Sequence, residues 1–276
     1  MNQNEPVTPV ADYLRLSKLP FIFCPGCGHG IIIQSFLRTL KKLEIHKEDV
    51  ALISGIGCSS RAPGYLDFNT LHTTHGRAIA FATGIKLTKP HLHVVVITGD
   101  GDAAAIGGNH LIHACRRNID ITVLVFNNYI YGMTGGQVSP TTPRGMRAST
   151  APYGSIDPPF DIANLAAAAG ASFVGRTTVF HTPQLDKLIE QALSKKGFSL
   201  VEVLSQCPIA FGRRNKIPQP FELMEFMKKG AVPVAKAKDM TPEELKGKFT
   251  TGVLADNDRP EYVEQYFKLC EKVQGS

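Results

Sequence analysis

Several things are missing from this 276-residue chain, and each absence narrows what it does. No apolar run reaches the roughly 18–20 residues a transmembrane helix needs, so no membrane span is expected. The first residues, MNQNEPVTPVADYLRL, lack the basic-then-apolar layout of an export signal, and a cytoplasmic address is the expectation. There is no basic helix and no interleaving of basic with aromatic residues, which argues against nucleic acid as a partner. The net charge of +6 is modest; it reads either as general solvation or as a docking surface for an acidic partner. A dense cysteine run is absent too. The six cysteines stand at 24, 27, 58, 115, 207 and 270, and without an export signal they read as ligands or free thiols rather than disulfides.

What is present centres on Val94-Val95-Val96-Ile97-Thr98-Gly99-Asp100-Gly101-Asp102, answered by Val123-Leu124-Val125-Phe126-Asn127-Asn128. Each is a short β-branched run, the pattern of a buried strand, ending in small or oxygen-bearing residues. Asp100 and Asn128 offer hard oxygen ligands, and Gly101 lets a phosphate approach the backbone. Together they point to a magnesium-bound diphosphate.

The cysteines form a second constellation. Cys24-Pro25-Gly26-Cys27 is a tight turn that aims two sulfurs at one point, which suits zinc, an iron–sulfur cluster or a redox disulfide. Cys58 follows an expected strand over 50–56, beside Gly57, Ser59 and Ser60, and Cys207 follows one over 198–204. Further strands are expected over 93–98, 121–126 and 172–176. Helices are expected over 30–43, 77–89, 103–117, 160–169 and 183–194. Between them lie two loops. The first, 61–75, leads to His75-Gly76-Arg77, whose cations suit a phosphate or carboxylate. The second runs from 127 to about 159 and is long enough to be functional. Gly107-Gly108 inside a helix implies a close backbone approach.

Strands alternating with helices over 30–204 give an α/β fold with a doubly wound, mostly parallel sheet. In such sheets ligands sit beyond the carboxyl ends of the strands. Cys58, Asp100, Asn128 and Cys207 all follow strands and so share one edge. Cys24, Cys27, Cys58 and Cys207 therefore suit one four-sulfur site beside the diphosphate. Zinc or a [4Fe–4S] cluster fits four thiolates. Structural zinc sites usually come as two close pairs, whereas here the third and fourth thiols stand alone, 31 and 180 residues after Cys27. That layout favours the cluster. Residues 1–20 read as an extended lead-in, and 1–208 as one domain. Residues 209–276 read as a C-terminal extension packed on that domain, with helical patches near 222–228, 242–246 and 260–272 and no strong strand.

Gly99-Asp100-Gly101, then 25 residues, then Asn127-Asn128 resembles the thiamine diphosphate fingerprint. Combined with Cys24-Pro-Gly-Cys27-Gly-His29, Gly57-Cys58-Ser59, His75-Gly76-Arg77 and Cys207-Pro208, the chain resembles the β subunit of 2-oxoacid:ferredoxin oxidoreductases over about residues 15–215. It looks most like the branch that uses 2-oxoglutarate, with pyruvate as the alternative substrate. The resemblance implies the thiamine diphosphate-binding fold, with Asp100, Asn128 and the Ile130 carbonyl on Mg²⁺. It implies that Gly101, Asp102, Gly132 and Met133 hold the diphosphate and that Ile56, Gly57, Cys58, Ser59 and His75 line the cofactor. It also implies one [4Fe–4S] cluster on Cys24, Cys27, Cys58 and Cys207. The implied reaction is coenzyme A-dependent oxidative decarboxylation of a 2-oxo acid with reduction of ferredoxin, reversible in principle. The glutamate that activates the cofactor belongs in this family to a second type of domain. None is expected here, so an α (or fused γ–α) subunit completes the site, in an assembly expected to be a dimer of heterodimers. Some relatives carry a lysine for the substrate carboxylate near 134–137. This chain has Gly135-Gly136 there, so that contact must come from elsewhere. A cluster-free thiamine decarboxylase subunit with structural zinc is the rival reading.

Overall fold

The computed structural model describes residues 10–275. Residues 1–9 of the expected lead-in lie outside the described residues. From 10 to 20 the chain makes two single 3₁₀ turns, Ala11–Tyr13 and Leu16–Lys18, instead of running extended throughout.

Ten strands follow: β1 (Val50–Ser54), β2 (Asn69–His72), β3 (His93–Gly99), β4 (Thr122–Asn127), β5 (Ile130–Tyr131), β6 (Gln137–Val138), β7 (Phe173–Thr178), β8 (Ser199–Leu204), β9 (Ala231–Pro233) and β10 (Phe249–Asp256). Eight of them form one sheet in the order β2-β1-β3-β4-β8-β7-β10-β9, and β5 with β6 forms a small hairpin. Every pairing from β2 across to β7 is parallel. β10 runs antiparallel against β7, and β9, parallel to β10, runs opposite to the other six with it. The expected mostly parallel α/β sheet is the one observed.

The sheet is doubly wound because its strands are apolar on both faces. Along β1, β3 and β4 the side chains alternate between two cores. Leu52, Val95, Ile97, Leu124 and Phe126 face α1 (His29–Lys42) and a later helix over 182–194. Ile53, Val94, Val96, Val123 and Val125 face α2 (Ala78–Thr88), α3 (Gly108–Arg117) and α4 (Ile162–Ala168). The later helix is α5 (Thr182–Ser194), which packs on α1. Ile33, Phe36, Leu37 and Leu40 of α1 are fully buried there, each contributing about 2 kcal/mol by leaving water.

Three expectations change. The loop over 61–75 contains β2, an edge strand whose four residues are all exposed, so no apolar alternation announces it. The single helix over 103–117 is two: a widened, π-type turn over Asp102–Ile106 and then α3, separated at Gly107. The close approach implied there holds at Gly107 and not at Gly108: a side chain on Gly107 would strike the Asp102 carbonyl and one on Gly76 would strike Ile106, whereas one on Gly108 would meet nothing. Third, residues 209–276 are not without strands. After α6 (Pro220–Gly230) they supply β9 and β10 to the main sheet. They also include α7 (Val234–Ala237), α8 (Pro242–Leu245) and α9 (Tyr262–Gln274). Strand β10 escapes detection because Gly252 sits at φ 111 and a bulge between Val253 and Ala255 breaks its period.

Arg176 fixes β10 in place. It is buried, and its guanidinium donates to the Thr250 carbonyl at 2.6 Å, to Thr250 Oγ1 at 2.7 Å and to Asp161 at 2.6 Å. Glu202, also buried, lies 3.5 Å from the same guanidinium and accepts from Asn127 Nδ2 at 2.7 Å. The last segment of the chain is thus tied through a paired internal charge to the end of β4.

Candidate functional site

Parallel pairing brings the carboxyl ends of β1, β2, β3, β4 and β8 to one edge, and a cavity of about 180 Å³ opens there. Its wall includes Ile56, Gly57, Cys58 and Ser59 after β1, His75 after β2, and Asp100, Gly101 and Asp102 after β3. Asn128, Ile130, Gly132 and Met133 complete it from the loop after β4. All twelve positions named from the sequence for the cofactor and Mg²⁺, Cys58 among them, therefore face one space.

Asp102 builds the frame of that space. Its Oδ1 accepts from His75 Nδ1 and the Gly76 N–H, both at 2.6 Å, and from the Ile56 N–H at 3.3 Å. Its Oδ2 accepts from Thr98 Oγ1 at 2.8 Å. The carboxylate is thereby committed to the protein, and Gly55 must be glycine because a Cβ there would overlap it. What Asp102 has left to offer a ligand is its backbone N–H, in the first turn of the helix after β3, where N–H groups have no intrahelical acceptor. With Nδ1 donating to Asp102, His75 turns Nε2 away from that carboxylate. Arg77 does not join the wall; its guanidinium donates to the carbonyls of Ile106 and Gly76.

Asp100 is buried, and among the described residues it has no cationic side chain beside it. Burial raises its pKa above the ordinary aspartate value, opposed by hydroxyls of Ser139 and Thr141 and by nearby backbone N–H groups. Thr141 Oγ1 lies 2.6 Å from Asp100 Oδ2 and 2.9 Å from Asn127 Oδ1. Beyond β4 the chain reverses through Tyr129, which holds φ at 66. Asn128 Oδ1 accepts the Ile130 N–H at 3.2 Å, so Asn128 and Ile130 are locked to each other across that turn. A buried, unpaired carboxylate with an amide oxygen near by is a donor set that fits a hard divalent cation.

The four thiols come from three loops. The Cys24–Cys27 turn precedes α1 and is closed by the Cys27 N–H on the Cys24 carbonyl at 3.0 Å. Its Gly26, at φ 77, lies against Pro220 and Pro208. Burial pushes the Cys27 thiol up to about 12, with further resistance to ionisation from Cys207, Cys58 and Cys24. Burial likewise pushes Cys58 up to about 11, with Cys207 and Cys24 adding to it. Cys207 is raised by burial and by Cys24 and Asp100, against N–H groups of Ala210 and Phe211. A Cβ on Gly132, at the cavity wall, would stand 3.6 Å from the Cys207 sulfur and 3.8 Å from that of Cys58. Among the described residues, no group of three or more His, Cys, Asp or Glu forms a site that could hold a metal ion.

Unpartnered polar atoms gather in the same region. Both ring nitrogens of His29 and the hydroxyls of Ser59, Ser60 and Ser205 are buried without hydrogen-bond partners, as is Gln206 Oε1. Each such atom costs about 1–3 kcal/mol if it stays unpaired. His29 and Ser59 line the cavity, and Ser205 and Gln206 lie against Gly28 beside them. Burial lowers the His29 pKa to about 4, so its ring is neutral near neutral pH. Orphaned donors and acceptors on the wall of a cavity fit a site shaped for a polar cofactor.

Comparison with known proteins decides the family. Residues 55–203 match the thiamine pyrophosphate enzyme C-terminal TPP-binding domain. The chain is 55% identical over 266 residues to the 2-oxoglutarate synthase subunit KorB of Methanocaldococcus jannaschii, covering 96% of this chain and 98% of that one. It is 52% identical to KorB of Methanothermobacter marburgensis, covering 100% and 96%. This chain belongs to the KorB family. A solved relative agrees in three dimensions. The 2-oxoglutarate:ferredoxin oxidoreductase of Magnetococcus marinus, with 2-oxoglutarate, coenzyme A and succinyl-CoA bound, superposes with a TM-score of 0.87. It is 35% identical, with 99% of this chain and 94% of that one covered.

Within this KorB-family chain the cavity also uses residues to which the sequence assigned no role at the site: Phe126, Tyr131, Thr134 and the His29 ring. Tyr131 packs so closely on Gly101 that a Cβ there would overlap its ring. It lies between Ile130 and Gly132, and an aromatic inside a run of backbone-contacting residues was the available signal. Thr141 had none, being one hydroxyl in a Ser/Thr/Pro-rich loop.

Proposed function

We propose that this chain is the cofactor- and cluster-holding β subunit of a 2-oxoglutarate:ferredoxin oxidoreductase, active only with a partner subunit. One observation carries the reading: Cys58 lines the same cavity as Asp100, Asn128 and Ile130, and Gly132 on that wall lies against the sulfurs of both Cys58 and Cys207. Pyruvate remains the competing substrate. The KorB names of the relatives and the 2-oxoglutarate in the solved one favour the longer acid.

In this reading Asp100, Asn128 and the Ile130 carbonyl hold Mg²⁺. The backbone at Gly101 and Asp102, with Gly132 and Met133, receives the diphosphate. Thiamine diphosphate, when bound, supplies the carbon nucleophile and electron sink that decarboxylation of a 2-oxo acid requires. The chain's own work is positional. Asp102 holds the loops after β1 and β2 against β3, and the apolar wall of Ile56, Phe126 and Met133 keeps water from the reacting end. His75 is held by Asp102 with its free nitrogen available to a ligand proton. The net reaction balances as 2-oxo acid, coenzyme A and two oxidised ferredoxins giving acyl-CoA, CO₂, two reduced ferredoxins and one proton.

Cys24, Cys27, Cys58 and Cys207 fit one [4Fe–4S] cluster. A single zinc, at about 2.3 Å from each sulfur, needs all its ligands gathered on one point; a cluster takes one thiolate at each of four irons and spreads them. The test is anaerobic co-purification with the partner subunit, iron and sulfide analysis, and reduction of a viologen dye with coenzyme A and a panel of 2-oxo acids. Four irons and four sulfides per chain and fastest reduction with 2-oxoglutarate are expected. One zinc without iron, or no reduction with any 2-oxo acid, refutes the proposal.

A further inference from the structure

Two segments of this chain carry no acidic residue at all: 127–156 and 203–221. The fold joins them. Asn215 exchanges two hydrogen bonds with the backbone of Arg147, accepting from its N–H at 2.8 Å and donating to its carbonyl at 3.1 Å. Arg214 donates to the Gly135 carbonyl at 3.0 Å. The joined segments present five exposed cations, Arg144, Arg147, Arg213, Arg214 and Lys216, and none pairs with an acidic side chain among the described residues.

This cationic face adjoins the thiols. The segment carrying Arg213, Arg214 and Lys216 begins immediately after Cys207, and Pro208 and Pro220 at its two ends both pack on Gly26 in the Cys24–Cys27 turn. Cys24 is exposed. Two exposed apolar side chains belong to these segments: Ile22, two residues before Cys24, at 60%, and Phe221, next to Pro220, at 67%. An apolar centre with a charged rim of one sign is the anatomy of a protein docking surface rather than of a small-anion pocket.

We propose that an acidic one-electron carrier protein docks on this face, with Ile22 and Phe221 at its centre and the five cations at its rim. This rests on the function proposed above. Each docking removes one electron beside Cys24 and Cys207, so two carriers leave reduced for each 2-oxo acid oxidised. The cations steer the encounter and set its salt dependence, and the apolar centre sets the contact distance.

The test uses the anaerobically purified complex with its partner subunit and an acidic ferredoxin. Arg147→Glu and Arg213→Glu are introduced together. Arg214 is left intact because it supports the hairpin at Gly135. The dissociation constant for ferredoxin, measured by calorimetry at low ionic strength, is expected to rise tenfold or more. The difference should collapse near 1 M salt, where charges are screened within about 3 Å. Reduction of a viologen dye, a small dication that the cationic face does not attract, should not fall below that of the unaltered complex. An unchanged ferredoxin constant overturns the proposal. So does loss of subunit assembly, which would assign the face to the partner subunit, or a raised KM for coenzyme A, which would assign it to that anion. Failure of the unaltered complex to reduce the dye with any 2-oxo acid would instead refute the proposed function itself.

Discussion

Replacing Asp102 separates its role as a frame from a role in touching ligand. In Asp102→Ala four donors lose their acceptor: the Gly76 and Ile56 N–H groups, His75 Nδ1 and the Thr98 hydroxyl. Thr98 can turn to the Gly99 carbonyl, 3.3 Å away, and recover most of its bond. The other three cannot all be rehydrated, because the Gly76 N–H is buried. Counting about 1–3 kcal/mol for the dry Gly76 N–H and about 1 kcal/mol for each of the two donors that exchange a carboxylate for water, the loss is about 3–5 kcal/mol. Asp102→Asn behaves differently. Three of the four donors converge on Oδ1, which an asparagine retains, and its new NH₂ faces a hydroxyl able to accept. The remaining cost is the exchange of a charged acceptor for a neutral one, about 1 kcal/mol. Urea denaturation followed by circular dichroism reads both as midpoint shifts at constant slope. Equal losses in the two variants would refute the division of donors between the oxygens. A loss below about 1 kcal/mol in the alanine variant would refute the frame altogether.

Other outcomes follow from single contacts. Arg176→Ala leaves buried Glu202 without its cation and should cost about 3–5 kcal/mol by the same urea measurement. Arg176→Lys should not restore it, because three separate nitrogens reach Thr250 and Asp161; full recovery by lysine would contradict the geometry. Gly101→Ala should drive Tyr131 from its place and weaken thiamine diphosphate binding with Mg²⁺ at least tenfold by calorimetry. Adding Tyr131→Ala in the same chain should recover part of that loss, and no recovery would mean the collision is not the cause. Burial, with Lys86 beside it, lowers the His93 pKa. The unfolded chain then takes up the proton first as pH falls through the ordinary histidine range, so this contribution to stability is present above that range and lost below it. His93→Gln should flatten the stability profile between about pH 7 and the acid limb. An unchanged profile would place the loss elsewhere.

Much of this architecture was legible because burial on both faces leaves a plain mark. Val94–Ile97 and Val123–Phe126 read as strands since every residue there is inside, and small or oxygen-bearing residues at their ends mark the carboxyl edge. Elements at the margin of the sheet leave no such mark. Strand β2 is solvent-facing and β10 is bent by Gly252, so neither carries a period-two pattern, and both owe their existence to neighbours far off in sequence. The same reasoning placed the cysteines by position alone: Cys58 and Cys207 follow strand ends, and Cys24 and Cys27 share a turn.

Asp102 shows where such reasoning stops. Its position after β3 marked it as a diphosphate residue, and position is all that a sequence supplies. Whether the side chain or the backbone meets the ligand depends on what else reaches that side chain. Here Thr98 on β3 and His75, Gly76 and Ile56 from loops reach it first, from positions 4 to 46 residues away. A carboxylate aimed at a diphosphate would repel it. Spent on four protein donors, the same group instead stiffens the loops whose backbone and glycines border the cavity. The charge that looked out of place beside a phosphate site is therefore consistent with it, provided that only the Asp102 N–H faces the anion. The contrast between Asp102→Asn and Asp102→Ala probes that division directly.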